Sequence, residues 1–170
     1  MKIFGLVGRS GSGKTSLMVR LLPELRRRGL TVSTIKHAHH GFDLDRSGKD
    51  SFRHREAGAK EVMLVSDARW ALMHEIGDAP EPPLEELVRR MAPVDFVLIE
   101  GFHTHGHPMI EVYRPTEAHA LLWREGSNIV AVASDEPLPA VTVPVLDLND
   151  AQAIATLALA KAETYDHPAS

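Results

Sequence analysis

A glycine-rich loop between an apolar segment and an amphipathic segment constrains this chain more than any other feature of its sequence. Residues 8–15 read GRSGSGKT and match the phosphate-binding pattern G-x-x-x-x-G-K-S/T in full. The apolar residues 3–7 come directly before the loop. Residues 14–28 follow it with apolar side chains at helical spacing, and Gly29 is a typical helix stop. This order predicts a strand, a phosphate loop and a helix.

The chemistry of the loop follows from its residue types. Gly11 and Gly13 permit positive φ angles, so that successive backbone N–H groups converge on one anion at the positive end of the helix dipole. Lys14 supplies a neutralising charge for the β- and γ-phosphates, and the Thr15 hydroxyl is suited to Mg²⁺. We therefore predict a nucleotide site formed by the loop and the first helical turn: Ser10, Gly11, Ser12, Gly13, Lys14, Thr15 and Ser16.

Strand-like and helix-like patterns alternate along the rest of the chain. Further strands are predicted at residues 31–36, 61–66, 69–74, 94–99, 109–113, 129–133 and 141–146, and further helices at 50–57, 84–91 and 151–161. Such alternation is typical of an α/β fold whose mainly parallel sheet carries helices on both faces. We expect a single P-loop nucleotide-binding domain over residues 1–162 and a polar tail over residues 163–170.

A phosphate loop needs an acidic residue at the end of a neighbouring strand to hold Mg²⁺ or its water. Glu100 ends the apolar strand at 94–99, whereas Asp95 lies at its other end. Ligands of such sheets bind at the carboxyl ends of the strands, so we predict Glu100 and Thr15 as the metal-side residues. Two acidic residues in the polar segment after the second strand, Asp43 and Asp45, are candidates for orienting a water. We predict Asp45 with Lys14 as the catalytic pair; a solvated surface loop is the alternative for this segment.

Composition excludes several classes of protein. Among 170 residues there is no Cys, which rules out disulfides and thiolate zinc sites. A net charge of −4 argues against a protein that binds nucleic acid through phosphate contacts. No segment approaches the roughly 20 apolar residues of a membrane helix, and the apolar run at the N-terminus is too short for a signal peptide. We expect a soluble, cytoplasmic protein without a membrane partner.

Motifs beyond the phosphate loop occur in a distinctive order. They are Ile35-Lys36-His37-Ala38-His39-His40, Phe42-Asp43-Leu44-Asp45, Gly48-Lys49-Asp50-Ser51, Arg53-His54-Arg55, Ile99-Glu100-Gly101-Phe102 and Ile110-Glu111-Val112. With the loop, they resemble the molybdopterin-guanine dinucleotide biosynthesis adaptor (MobB) family over residues 1–160. The resemblance implies a GTP-binding homodimer with weak GTPase activity, which assists the enzyme that attaches GMP to molybdopterin. It also implies a sheet extension that helps dimerisation, for which the strands near 61–76 and 108–114 are the candidates.

The sequence departs from that family at two positions and leaves the base preference open. Family members often carry Lys where this chain has His103 and Met109. The guanine-reading motif Asn-Lys-x-Asp is absent, so the residues alone do not separate GTP from ATP. Asp135 follows a predicted strand in a similar place and is the candidate acceptor for the guanine N1 and N2 groups.

Two other functions remain open from the residues. If the segment 103–107 is extended, the alternating His103, His105 and His107 share one face, and a metal site there would indicate a metallochaperone-type GTPase. The other is a P-loop small-molecule kinase, which usually needs an arginine-rich lid over the phosphates. The arginines at 53, 55, 89 and 90 lie on two separate predicted helices, which argues against a compact lid.

Overall fold

The computed structural model describes residues 1–38, 45–115, 120–124 and 128–165. The chain divides into two compact units, of which one comprises Met1–His37 with Leu84–Ser170 and the other Ala38–Pro83. The helices and strands of the first unit are, in chain order, β1 (Lys2–Val7), α1 (Lys14–Arg27), β2 (Val32–Lys36), α3 (Leu84–Arg89), β5 (Phe96–Glu100), β6 (Met109–Tyr113), a 3-10 helix (Leu122–Arg124), β7 (Ile129–Ser134), β8 (Val145–Asp147), α4 (Ala151–Lys161) and β9 (Glu163–Thr164). No described helix is long and apolar enough to cross a membrane.

Six parallel strands form the sheet of the first unit in the order β2-β5-β1-β6-β7-β8. β9 runs antiparallel beside the first residues of β1, before β6 begins its own pairing with that strand. Within the sheet, β2 and β5 lie on one side of β1, and the chain then crosses to place β6 and β7 on the other side of β1. The carboxyl end of β1 is therefore the switch point at which a sheet of this kind binds its ligand.

Helices cover both faces of this sheet, as the alternation of patterns predicts. On one face, apolar side chains of α1 and α4 pack with alternate strand residues such as Phe4, Phe96 and Ile110. On the other face, α3 packs against Val97 and Ile99. All five residues of β5 are buried, which is typical of a central parallel strand. α1 continues through the exposed Pro23 to Arg27, and Asp150 caps α4 with a hydrogen bond from the Ala153 N–H.

The second unit contains α2 (Asp50–Glu56) and a separate two-stranded hairpin of β3 (Glu61–Val65) and β4 (Trp70–His74). The antiparallel register pairs Met63 with Leu72 and Val65 with Trp70, so these four apolar side chains share one face. All four are exposed, with Val65 at 74% and Trp70 at 67%. We call this surface, formed by Met63, Val65, Trp70 and Leu72, the hairpin face.

The structure corrects three details of the sequence prediction. The segment near 108–114 is not part of an extension, because β6 lies inside the main sheet between β1 and β7. Its buried Glu111 accepts hydrogen bonds from the backbone N–H groups of Leu122 and Trp123, at 2.8 and 3.0 Å. The strand predicted at 141–146 is confined to Val145–Asp147. The segment predicted as a tail begins as β9, where it pairs with β1.

Candidate functional site

The phosphate loop takes the backbone conformation that its glycines permit. Gly8, Gly11 and Gly13 have φ angles of 146°, 81° and 99°, a region that residues with a Cβ rarely adopt. Gly13 directly precedes α1, so the loop delivers its N–H groups to the start of that helix. A Cβ at Gly8 would lie 2.4 Å from the carbonyl oxygen of Val112 on the neighbouring strand. Gly8 is therefore required by both the turn and the close packing of the loop, and Gly11 and Gly13 by the turn.

Lys14 lies across the loop rather than extending into solvent. Its Nζ donates hydrogen bonds to the carbonyl oxygens of Gly8 and Arg9 at 2.8 and 2.9 Å. Burial lowers the pKa of the Lys14 ammonium, the charge of Glu100 opposes that shift, and nearby Lys36 adds to it. The charged form of a lysine that is partly withdrawn from water in this way is strongly stabilised by a bound polyanion.

Thr15 and Glu100 meet at the side of the loop nearer to β5. Parallel pairing of β1 with β5 places Glu100 level with Leu6, just before the loop begins. The Thr15 hydroxyl donates to the Glu100 carboxylate, with Oγ1 at 3.3 and 3.4 Å from its two oxygens. Lys36 Nζ lies 3.5 Å from the same carboxylate. A hydroxyl and a carboxylate are oxygen donors of the kind that Mg²⁺ prefers, so this pair fits that cation.

These groups share one cavity of about 370 Å³ at the carboxyl end of β1. Most of the predicted nucleotide and metal residues line it, together with Lys36: Ser10, Gly11, Gly13, Lys14, Thr15, Ser16 and Glu100. Ser12 is not among the lining residues; its Oγ is buried beside Gly8 and makes no hydrogen bond to a described residue. Sequence reasoning assigned no role to Lys36. The feature that could have identified Lys36 is its position at the end of β2, a strand end that the structure pairs with Glu100.

Asp135 stands on the other side of the loop, after β7. Its carboxylate oxygen lies 3.6 Å from Nε of Arg114, which follows β6. The guanidinium of Arg114 in turn lies beside Gly13. Sequence reasoning assigned no role to Arg114, because the motif Ile110-Glu111-Val112 ends two residues before it; the available signal was its position directly after a strand, which Asp135 shares. Neither residue lines the cavity, so Asp135 stays a prediction for base recognition.

The predicted catalytic Asp45 belongs to the second unit. There its buried carboxylate forms an ion pair with Arg55, whose Nη2 lies 2.9 Å from Oδ1, and Arg55 also contacts Glu75. Asp43 lies outside the described residues, as do His39 and His40. The role of Asp45 in orienting a water therefore stays a prediction.

Asp95 has a structural contact at the opposite end of its strand from Glu100. Its carboxylate accepts hydrogen bonds from the backbone N–H and the hydroxyl of Thr31, at 2.8 and 2.6 Å. These hydrogen bonds lower the pKa of Asp95. Asp95 thus links the start of β5 to the start of β2, whereas Glu100 lines the cavity at the other end of the strand.

The histidines of residues 103–107 do not share a face, because the segment is a series of turns and bends rather than a strand. His103 is exposed, His105 packs edge-on against Phe102 with ring centroids 4.9 Å apart, and His107 is buried beside Gly5. Within the described part of the chain, no group of three or more His, Asp or Glu side chains could hold a metal ion. The extended backbone on which the metal-site alternative depended is therefore not found in this segment.

Comparison with known proteins gives one consistent result. The family model described as molybdopterin guanine dinucleotide synthesis protein B matches residues 3–135. The molybdopterin-guanine dinucleotide biosynthesis adapter protein of Escherichia coli is 40% identical over 152 residues, which span 86% of this chain and 85% of that protein. The protein of the same name from Haemophilus influenzae is 41% identical over 150 residues, with coverage of 86% and 82%.

A solved structure agrees with these sequence matches. The crystal structure titled molybdopterin-guanine biosynthesis protein B superposes with a TM-score of 0.73 at 29% identity. The match covers 93% of this chain and 98% of that one. This chain therefore shares its fold with that protein over most of its length.

Proposed function

Because the chain belongs to the molybdopterin guanine dinucleotide synthesis protein B (MobB) family, we propose that it is a GTP-binding adaptor in molybdopterin guanine dinucleotide biosynthesis. The adaptor assists the partner enzyme that attaches GMP to molybdopterin, and it acts in the cytoplasm. The observation that carries the proposal is the convergence of Lys14, Thr15 and Glu100 on one cavity at the switch point of the sheet.

Each side chain of the cavity has a role in holding a magnesium–nucleotide complex. Lys14 neutralises the β- and γ-phosphates, and the backbone N–H groups at the start of α1 surround the phosphate chain. Thr15 and Glu100 hold Mg²⁺ or its water, which offsets the remaining phosphate charge. Asp135 accepts from the N1 and N2 groups of guanine and supplies the preference for GTP.

Hydrolysis is at most slow in this proposal. Glu100, the acidic residue that lines the cavity, is already hydrogen-bonded by Thr15 and paired with Lys36. Orientation of the attacking water is assigned to Asp45, whose carboxylate is held by Arg55. A carboxylate whose two oxygens both accept hydrogen bonds from Arg55 has less capacity left to hold a water, which supports a low rate of hydrolysis.

The hairpin face supports self-association. Four exposed apolar side chains on one side of a two-stranded sheet are costly in water, and the contact between His74 Nδ1 and the Glu61 carboxylate borders them on the same face. We propose that this face packs against a second copy of the chain in a homodimer. Burial of such a surface contributes roughly 25 cal/mol per Å² of apolar area.

Nucleotide titration tests the function directly. We expect calorimetry to show that the protein binds GTP more tightly than ATP, and only weakly when Mg²⁺ is removed. Lys14→Ala should abolish binding of both nucleotides while circular dichroism and thermal unfolding remain those of a folded protein. As a matched control, Lys161→Ala removes an exposed lysine from the last turn of α4 and should change nothing. Unchanged nucleotide affinity in Lys14→Ala would contradict the site assignment.

Association with the partner enzyme tests the adaptor role. We expect the GMP-attaching enzyme to co-purify with the tagged protein in the presence of GTP and Mg²⁺. A hydrolysing protein that never retains the enzyme, with or without nucleotide, would instead be a free-standing GTPase. Transfer of phosphate to a small-molecule acceptor would indicate a kinase.

A further inference from the structure

An arginine and a carboxylate meet at the ends of two neighbouring strands on the side of the loop away from Glu100. Register pairs Tyr113 of β6 with Ser134 of β7, so the next residues, Arg114 and Asp135, emerge side by side. The distance of 3.6 Å between Arg114 Nε and the Asp135 carboxylate is an ion-pair contact rather than a hydrogen bond. Asp135 therefore fixes the guanidinium and keeps capacity to accept hydrogen bonds from another group.

The guanidinium of Arg114 lies over the start of α1. A Cβ built on Gly13 would be 3.5 Å from its Nε, 3.7 Å from Nη2 and 3.9 Å from Cζ. Cζ, the centre of the planar group, is the most distant of the three atoms, so the edge formed by Nε and Nη2 is the part turned toward Gly13. Nε is buried and makes no hydrogen bond to a described residue, yet the side chain as a whole is 40% exposed. The Nε–Nη2 edge is thus packed on the loop, and the exposed part of the guanidinium is open to a ligand.

The orientation of a bound nucleotide follows from the proposed function, on which this inference rests. Thr15, Glu100 and Lys36 mark the β5 side of the loop as the place of Mg²⁺ and the terminal phosphates. A nucleotide whose phosphate chain crosses the start of α1 from that side carries its nucleoside toward β6 and β7. Arg114 and Asp135 are the charged residues that follow those two strands.

We propose that the purine base stacks on the guanidinium of Arg114 and that Asp135 holds this guanidinium in position. A guanidinium stacks on aromatic rings through its planar, weakly hydrated face, which a lysine ammonium lacks. Its charge is already balanced by Asp135, so the contact to the ligand is made by the face and not by the charge. Arg114 then contributes to binding of the nucleoside and not to binding of the phosphate chain.

Two ligands separate stacking on the base from attraction of phosphate. Calorimetric titrations would compare GTP with inorganic triphosphate, both with Mg²⁺, because the second has the phosphate chain but no nucleoside. We expect Arg114→Ala to weaken GTP binding roughly tenfold, the usual scale of loss of one base-stacking side chain. Affinity for inorganic triphosphate should stay within about twofold of that of the wild type. Arg114→Lys keeps the charge and should lose GTP affinity as Arg114→Ala does.

The controls make each outcome decisive. Arg26→Ala removes an exposed arginine from the last turn of α1 and should leave both affinities unchanged. Equal losses for GTP and triphosphate in Arg114→Ala, or full rescue by Arg114→Lys, would show a role of charge and overturn the inference. So would an unaltered affinity for GTP. A wild-type protein that binds neither ligand would refute the proposed function itself, which is a different result from failure of the Arg114 variants alone.

Discussion

Lowering the pH from 7.5 to 5.0 should destabilise this protein through one buried histidine. His107 is only 3% exposed, and neither of its ring nitrogens makes a hydrogen bond to a described residue. Its ring packs so closely on Gly5 that a Cβ there would lie 2.6 Å from Nε2. Burial lowers the pKa of His107 from 6.5 to about 4, His105 adds to the shift, and Glu85 opposes it.

The sign and size of the effect follow from proton binding by the two states. Above pH 6.5 the histidine is neutral whether the chain is folded or unfolded, so its stabilising effect is fully present. Between pH 6.5 and pH 4 the unfolded chain binds a proton that the folded chain excludes, which costs roughly 1.4 kcal/mol per pH unit. For pKa values of 6.5 and about 4, the loss between pH 7.5 and 5.0 is about 2 kcal/mol.

Urea unfolding followed by circular dichroism measures this loss. The test compares the wild type with His107→Gln at both pH values, since glutamine stays neutral throughout. The variant has a different stability at pH 7.5 because its packing differs, but the further loss on acidification should be smaller than that of the wild type by about 2 kcal/mol. His54→Gln, which replaces an exposed histidine, is the matched control and should follow the wild type.

An equal loss of stability in His107→Gln and in the wild type would refute this explanation. If His107→Gln and the wild type lose the same free energy of unfolding between the two pH values, His107 is not held neutral by burial. The slope of the unfolding free energy against urea must stay constant across the series, because a change there signals a change in the denatured or native state.

Three further outcomes are expected. Glu100→Gln should weaken Mg²⁺-dependent GTP binding roughly 10- to 100-fold, the scale for loss of a metal-positioning group, while binding without Mg²⁺ changes little; equal weakening in both conditions would remove Glu100 from the metal side. Asp45→Asn should slow GTP hydrolysis at least tenfold, a modest estimate for a water-positioning carboxylate, with GTP affinity unchanged by calorimetry. An unaltered single-turnover rate would argue for a purely structural ion pair with Arg55. Trp70→Glu should convert a dimer into a monomer in sedimentation experiments, whereas Ala71→Glu, on the opposite side of the same strand, should not. A dimer that persists in Trp70→Glu would exclude the hairpin face as the interface.

Much of the fold was predictable because its signals are local. The bounds predicted for β6 and α4 are those of the structure, since each is read from a pattern of neighbouring residues. Glu100 was identified by a rule about where strands end. The sequence left the histidine segment open because alternation implies a shared face only in an extended backbone, and residues 103–107 turn instead.

The sequence by itself determined the phosphate loop, since its glycines, Lys14 and Thr15 are consecutive and their conformation depends on the local backbone. Apart from Glu100 and Asp135, which were predicted from their positions after strands, tertiary structure alone decided which distant residues lie near that loop. Lys36 reaches Glu100 because β2 pairs with β5, and Arg114 reaches Asp135 because β6 pairs with β7. Strand order and register depend on how the two faces of the sheet are buried, and this burial involves residues from the whole chain.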